Sequence, residues 1–551
     1  MESTGMFRFS SYKKIKNIGL LFIALISSFG MTTSLLRNNF STSSVNALGL
    51  TAININQGPT TGGTNVTLTG DFGIPGTKVT QISVGGSHVC ALAANNQIYC
   101  WGTNSFGELG NNSTIDSSVP IAVDTSGVLN GKTIAQVSAG STHTCAIDTA
   151  GQAYCWGDSG YPMYSALGDG NMLPSSVPIA VNTSGALNGK ILAQISTGNE
   201  GTCALDTANQ AYCWGSITLS TVPVAIDTST TLSGKTIKQI VAGNTNACVL
   251  DTDGHAYCWG NYNNGTLGDG STTGSGYATI PVAVDTSGVL NGKILTQISI
   301  TSSFVCAIDT AGQAYCWGNN YYGQLGNGST TNGLAPTTVD TSGVLNGKTL
   351  IQIAAGIFHA CAVDTAGQAY CWGFGSNGNL GNGSTTKSTI PVAVDTSGVL
   401  NGKTISQIST NGLQTCAIDI DGHAYCWGAV GLGTLGNNDE DGIDCYDPST
   451  FNHAPCVPTP VPVHTVSFDT GSMLPDADTP PISVVFSNTS GTPSPCINVV
   501  VAPDGLSLTC TTTAHPAGRV DITISNGTNT VTLPAAFEYV NIGVPDTGFQ
   551  N

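Results

Sequence analysis

Seven times the chain repeats a cysteine, nine residues and then Cys-Trp-Gly, beginning at Cys90, Cys145, Cys203, Cys248, Cys306, Cys361 and Cys416. Each of its 7 tryptophans follows the second cysteine of such a pair, with a tyrosine just before that cysteine. Successive copies start 45 to 58 residues apart, the period of propeller blades and other stacked repeats whose units cannot bury their faces alone. One element copied seven times restricts the chain to a repeat architecture.

The copy HTCAIDTAGQAYCWG, His143 to Gly157, reads as a hairpin. Cys145 and Cys155 are symmetric about Ala150, so Thr149-Ala150-Gly151 makes a three-residue loop with glycine where positive φ is needed. Counting back, Ile147 faces Ala153, Ala146 faces Tyr154 and Cys145 faces Cys155. Opposed residues lie within disulfide reach. The expected bridges are Cys90–Cys100, Cys145–Cys155, Cys203–Cys213, Cys248–Cys258, Cys306–Cys316, Cys361–Cys371 and Cys416–Cys426. Cys445/Cys456 and Cys496/Cys510 complete the 18 cysteines. Zinc binding is the competing reading, but it brings cysteines together in CxxC units, and the sequence has none.

Disulfides require export, and the amino terminus supports it. Lys13, Lys14 and Lys16 precede an apolar run from Ile18 to Phe29, like the n- and h-regions of a signal peptide. Val45-Asn46-Ala47 offers a cleavage site rather far downstream, so residues 1–47 read as a signal peptide or an uncleaved anchor. No later stretch has the length of a membrane span. The net charge is −18, and there is no basic patch, which argues against nucleic-acid binding. The expected location is secreted or cell-surface, as a monomer.

Between hairpins the repeat has a second stereotyped part. Trp317 to Gly356 carries a Gly-rich turn with GQLG, a Pro-led strand, a polar DTSG turn and a β-branched strand after Gly-Lys. Short strands between Gly, Pro, Asn and Asp turns predict an all-β fold, and four-strand units of this kind close into a ring. The set GxxHTCA, GQAYCWG, GQLG and Pro-x-x-Val resembles the regulator of chromosome condensation repeat, which implies a seven-bladed β-propeller over residues 77–465. Copy three departs from it, because Trp214-Gly215 runs to Pro223 without a GxLG turn. Copy seven inserts Asn437 to Pro458. The strand Val79 to Val84 is expected to open the first blade, and Pro460 to Val463 to return and complete it.

GPTTGGTNVTLTGDF, Gly58 to Phe72, resembles the first strands of an IPT/TIG immunoglobulin-like domain. Val484-Val485-Phe486, Leu508 to Ala514, Ala517 to Ile524 and Phe537-Glu538-Tyr539 follow that pattern in order, with Pro516 two residues late. Alone, the first piece is too short for a sandwich. The resemblance implies a propeller inserted into an immunoglobulin-like β-sandwich split between 51–74 and 481–541. Residues 466–480 read as a linker and 542–551 as a tail. The tail's Val544-Pro545-Asp546-Thr547-Gly548 resembles the sortase motif LPxTG without its hydrophobic segment. Chance, a decayed signal and an anchor beyond the sequence all stay open.

Few residues suggest chemistry. His88, His143 and His359 precede their hairpin cysteines, but Gly201, Asn246, Phe304 and Gln414 hold that place elsewhere, so packing outranks a ligand ring. His255 and His423 replace the Gln of GQAYC and are expected at the surface. Asp439, Asp441 and Asp444 partly mimic a calcium loop, although its twelfth position is Pro448, so Ca2+ is secondary to no cofactor at all. Asp148, Asp309 and Asp364 recur at the hairpin turn as caps. GxSxG, HExxH and phosphate loops are absent. The expected function is non-enzymatic binding of an extracellular protein or glycan through propeller-face loops, with Tyr161, Tyr164, Tyr262, Tyr321 and Tyr322 as contacts. The resemblance also implies guanine-nucleotide exchange on a small GTPase, or inhibition of an extracellular enzyme. An enzyme with carboxylates converging from different blades ranks third.

Overall fold

The computed structural model describes residues 78–463, apart from 161–163, 272–275, 302, 438–442 and 448–451. It also describes the strands Gly49–Asn54, Gln57–Pro59, Asn65–Asp71, Ser483–Ser487, Ser494–Pro495, Ile497–Val501, Ser507–Thr511, Gly518–Ser525 and Thr530–Val540. Expectations for residues 1–48, 466–480 and 542–551 lie outside the described residues. No helix among those described is long and apolar enough to cross a membrane.

Seven antiparallel meanders form the seven-bladed propeller, six of four strands and the last of five. Blade one runs Val79–Val84, His88–Ala93, Ile98–Gly102 and Ser117–Ala122, counted outward from the central channel. The expectation that Pro460 to Val463 completes blade one is corrected. Asn452–Pro462 is paired to Ala424–Ala429 in blade seven, with Val461 opposite Cys426, and Ile443–Asp447 adds a fifth strand outside it. Every blade is therefore continuous in sequence, and the ring closes through side-by-side contact.

The hairpin register follows the palindrome of the sequence. Cys145 lies opposite Cys155 and Ala146 opposite Tyr154, and Gly151 takes φ 77° in the loop. Seven such disulfides form, with Cα–Cα distances of 4.0–4.1 Å. Cys456 is also disulfide-bonded, while the side chains of Cys445, Cys496 and Cys510 lie outside the described residues.

Second strands are buried along their whole length, and third strands up to at most their last residue, because a neighbouring blade covers each face. Only the inner strand alternates, with Ile134, Val137 and Ala139 buried in blade two. The core consequently sits between blades. Leu167, Val181 and Leu187 of blade two pack with Ile195 and Trp214 of blade three, and all seven junctions repeat this arrangement. All seven indoles are at most 1 % exposed. Burying one contributes roughly 4–6 kcal/mol gross, as an upper estimate. Outer strands carry Pro120, Pro178, Pro223, Pro281, Pro336 or Pro391, which blunts edges that would otherwise pair with another chain.

The strands outside the propeller form two further sheets, each drawing on both ends of the chain. In one, Gly49–Asn54, Asn65–Asp71, Ser507–Thr511 and Ile497–Val501 lie in that order, with Val66 opposite Cys510. In the other, Gln57–Pro59 runs parallel to Thr530–Val540, followed by Gly518–Ser525, Ser483–Ser487 and Ser494–Pro495. The propeller residues thus fall between Asp71 and Ser483 of this paired unit. The expected common core of Val66, Leu68, Ile522, Ile524 and Phe537 involves side chains outside the described residues.

Candidate functional site

The central channel has a volume of about 1320 Å³, and all seven inner strands line it. Its glutamine side chains are committed to the ring. Gln81, Gln136, Gln194, Gln239, Gln297, Gln352 and Gln407 occupy the third position of each inner strand. Every one accepts, at 2.8–3.1 Å, a backbone N–H of the next blade's inner strand. Several also donate back, as from Gln136 Nε2 to Ile195 O and from Gln407 Nε2 to Ile82 O. The inner strands do not pair with one another as sheets, so these amides supply the missing ladder and join blade seven to blade one. Ser83, Ser138, Ser196, Ser299 and Ser409 add a second tier of the same kind. Sequence reasoning alone misses this belt, whose visible signal is a glutamine before Ile or Val in every copy.

Because each blade is a meander, successive connections alternate between two faces. Hairpin turns and inter-blade linkers share one face. There Asp364 accepts from the backbone N–H groups of Ala366 and Gln368 and from the Tyr370 hydroxyl, and Lys348 lies 3.3 Å away. Burial pushes this carboxyl up, but those donors outweigh it and hold its pKa below the ordinary range. Lysine pairs with the matching aspartate in each of blades two to seven. The recurrent acids are therefore structural. His255 and His423 are exposed and turn toward Asp251 and Asp419.

The other face carries the connections from first to second and from third to outer strands, which vary most. Several are internally fixed. Buried Asn104 donates to Asn111 Oδ1, Ser113 O and Ile115 O, and Asn320 repeats this with Asn327, Ser329 and Thr331. Glu108, in the blade-one turn, is 2 % exposed, and burial pushes its carboxyl up, helped by Asp158 and Asp116. Its Oε2 is occupied by the Phe106 N–H.

Among the expected contact tyrosines that are described, Tyr321 is the exposed one, at 67 %. Tyr322 beneath it is half-buried and packs edge-on against Phe358 and Phe374 of blade six, with ring centroids 5.4 and 5.0 Å away. Tyr164 and Tyr262 are corrected from exposed to half-buried. Tyr262 packs against the core of its seam, and Tyr164 lies near Tyr277 of blade four. Tyr277 donates to Ile217 O and so helps close the gap over blade three's short loop. Tyr161, Asp439 and Asp441 lie outside the described residues, as does the Asp444 side chain. Beside the aromatic group, Ile357 lines the channel, and Lys387 is the one charged residue in loops 319–332 and 374–387.

The RCC1-like domain family matches residues 40–401. The ultraviolet-B receptor UVR8 of Arabidopsis thaliana is 26% identical over 363 residues, covering 66% of this chain and 68% of that protein. Human E3 ubiquitin-protein ligase HERC2 is 27% identical over 359 residues, which are 65% of this chain but only 6% of HERC2. Prp20p of Saccharomyces cerevisiae shares the fold at TM-score 0.53 and 20% identity, over 61% of this chain and 80% of its own. Human WBSCR16 does so at TM-score 0.55 and 16% identity, over 76% and 99%. With seven blades in register and more than half of its length matched, the chain belongs to the RCC1-like domain family.

Proposed function

We propose that this protein is a non-enzymatic binding scaffold outside the cell, which engages a protein or glycan partner through the variable-loop face of the propeller. The observation that carries the reading is Tyr321, exposed on an internally bonded loop and packed edge-on against Tyr322, which in turn rests on Phe358 and Phe374. A rigid aromatic anchor loses little entropy on binding. The channel amides are occupied, which leaves the loops as the free recognition surface. Seven disulfides favour an oxidising compartment. The strand pairings that join the two chain ends support a split IPT/TIG immunoglobulin-like domain as the mount.

Capture from cell-surface extracts by the purified oxidised protein, compared with its Tyr321→Ala variant, tests this. Loss of a defined partner at unchanged melting temperature supports the reading. Equal capture, or turnover of a polysaccharide panel, contradicts it. A second reading draws on the likeness to Prp20p, whose structural report concerns binding to Gsp1p and histones. A small-GTPase nucleotide-exchange assay addresses it, and the disulfides weigh against it.

A further inference from the structure

Three histidines are wholly buried at one repeat position, the first residue of the second strand: His88, His143 and His359. Each Nε2 meets a threonine hydroxyl of the next blade, Thr144 at 2.8 Å, Thr202 at 2.9 Å and Thr415 at 2.8 Å. Each hydroxyl in turn donates to a turn carbonyl of the histidine's own blade, Glu108 O, Ala166 O or Asn379 O. A threonine has one proton to give, so its oxygen accepts from the imidazole. Nε2 therefore carries the hydrogen and Nδ1 is bare. All three Nδ1 atoms are buried without a protein partner. They lie so close to Gly85, Gly140 and Gly356 that a Cβ there would meet them at 2.8–3.1 Å.

Both partners occur together or not at all. At the other four seams the same two positions hold Gly201 with Ala247, Asn246 with Val305, Phe304 with Ala360, and Gln414 with Val89. A histidine stands only where the next blade supplies a threonine.

We propose that these seams form an acid-sensitive latch, in which protonation of His88, His143 and His359 unties blade one from two, two from three and six from seven. The second proton lands on Nδ1, which has no hydrogen-bond partner, and the nearby carbonyls of Gly140 and Gly198 already accept from Gly86 N and Ser141 N. No flanking carboxylate, Glu108, Asp158 and Glu200 at the first two seams included, acts to raise these imidazoles, on which burial and, for His88, the His143 ring bear. Glu108 and Glu200 flank the first two seams, and the Glu108 carboxylate is bonded to Phe106 N. Asp148, Asp206, Asp364 and Asp419, at the far ends of the second strands, are held by tyrosine and lysine. His88 and His143 repel each other once charged.

Burial lowers these imidazoles from the ordinary 6.5 to about 3 for His88, about 4 for His143 and about 3 for His359. With folded values below the unfolded one, the stabilisation is complete above 6.5 and is lost as pH falls toward 4. Opening becomes favoured about tenfold per pH unit for each histidine that its seam exposes. Disulfides inside each blade are untouched, so blades separate before they unfold.

Hydrogen–deuterium exchange of the oxidised protein between pH 7.5 and 4.5, after correction for the intrinsic pH dependence of exchange, tests the latch seam by seam. The second strands at His88, His143 and His359 should lose protection as pH falls, while those at Asn246 and Phe304 hold theirs. Replacing the pairs by His88→Asn/Thr144→Val, His143→Asn/Thr202→Val and His359→Asn/Thr415→Val imports the combination native to the seam between blades four and five. It should move opening to lower pH. Uniform acid opening around the wild-type ring, or an unchanged midpoint in the substituted protein, overturns the proposal. If the substituted protein fails to fold, the wild-type seam comparison decides alone.

Discussion

The seam between blades two and three and the seam between three and four carry the same inner belt but differ outside it. At the first, Trp214 Nε1 donates to Ala166 O at 2.8 Å, Gly168 abuts the indole and His143 meets Thr202. At the second, Gln194 and Ser196 still bridge to blade four, but Gly201 and Ala247 offer no polar pair. Trp259 Nε1 is buried without a protein acceptor. The cause is in the sequence. Six tryptophans donate to the variable residue of the preceding blade's GxLG-type turn, and blade three has no such turn. Ser216 Oγ to Asn244 O replaces part of the contact. The inner belt is thus what every junction needs, while outer ties vary and set how firmly each junction is shut.

Substitutions at matched positions can break this comparison. The largest effect belongs to Trp214→Ala, at about 3–5 kcal/mol. Trp259→Ala removes the same volume without a hydrogen bond and should cost less, as chemical denaturation would show. Next, Trp214→Phe should cost about 1–2 kcal/mol, whereas Trp259→Phe, which removes an unpartnered donor, should be close to neutral. Equal costs would remove the distinction between the seams. The smallest pair is Thr202→Val, expected to cost about 1 kcal/mol by stranding His143, against Ala247→Thr, which should gain nothing because Gly201 offers no imidazole.

What the sequence revealed depended on how far apart the partners lie. The hairpin register was legible because Cys145 and Cys155 share one short loop, and the loop chemistry of Gly151 fixes it. The belt is harder to read, because Gln136 bonds a residue 59 positions away, so the recurrent glutamine marks a position without naming its partner. The closing strand was misplaced because a repeat period specifies the unit without specifying where the unit begins. Pro460 to Val463 fits either the first or the seventh blade until strand pairing settles it. The missing GxLG turn in copy three was visible, but its consequence for Trp259, one blade on, required the ring. Of the aromatic loop residues, Tyr164 and Tyr262 carry the same local polarity as Tyr321. They differ in what packs against them, the seam core for Tyr262, and Tyr277 of blade four beside Tyr164.

Outer ties grade the seams of one closed ring. Hydrogen–deuterium exchange at pH 7.5, where all three histidines are neutral, reads this directly from the strands on either side of each junction. Asn246–Asp251 and Ile237–Ala242, which face blade three across the seam lacking the turn and the His–Thr pair, should exchange before His143–Asp148 and Ile134–Ala139, which face it across the other. Equal protection at both seams, or earlier exchange between blades two and three, would contradict it.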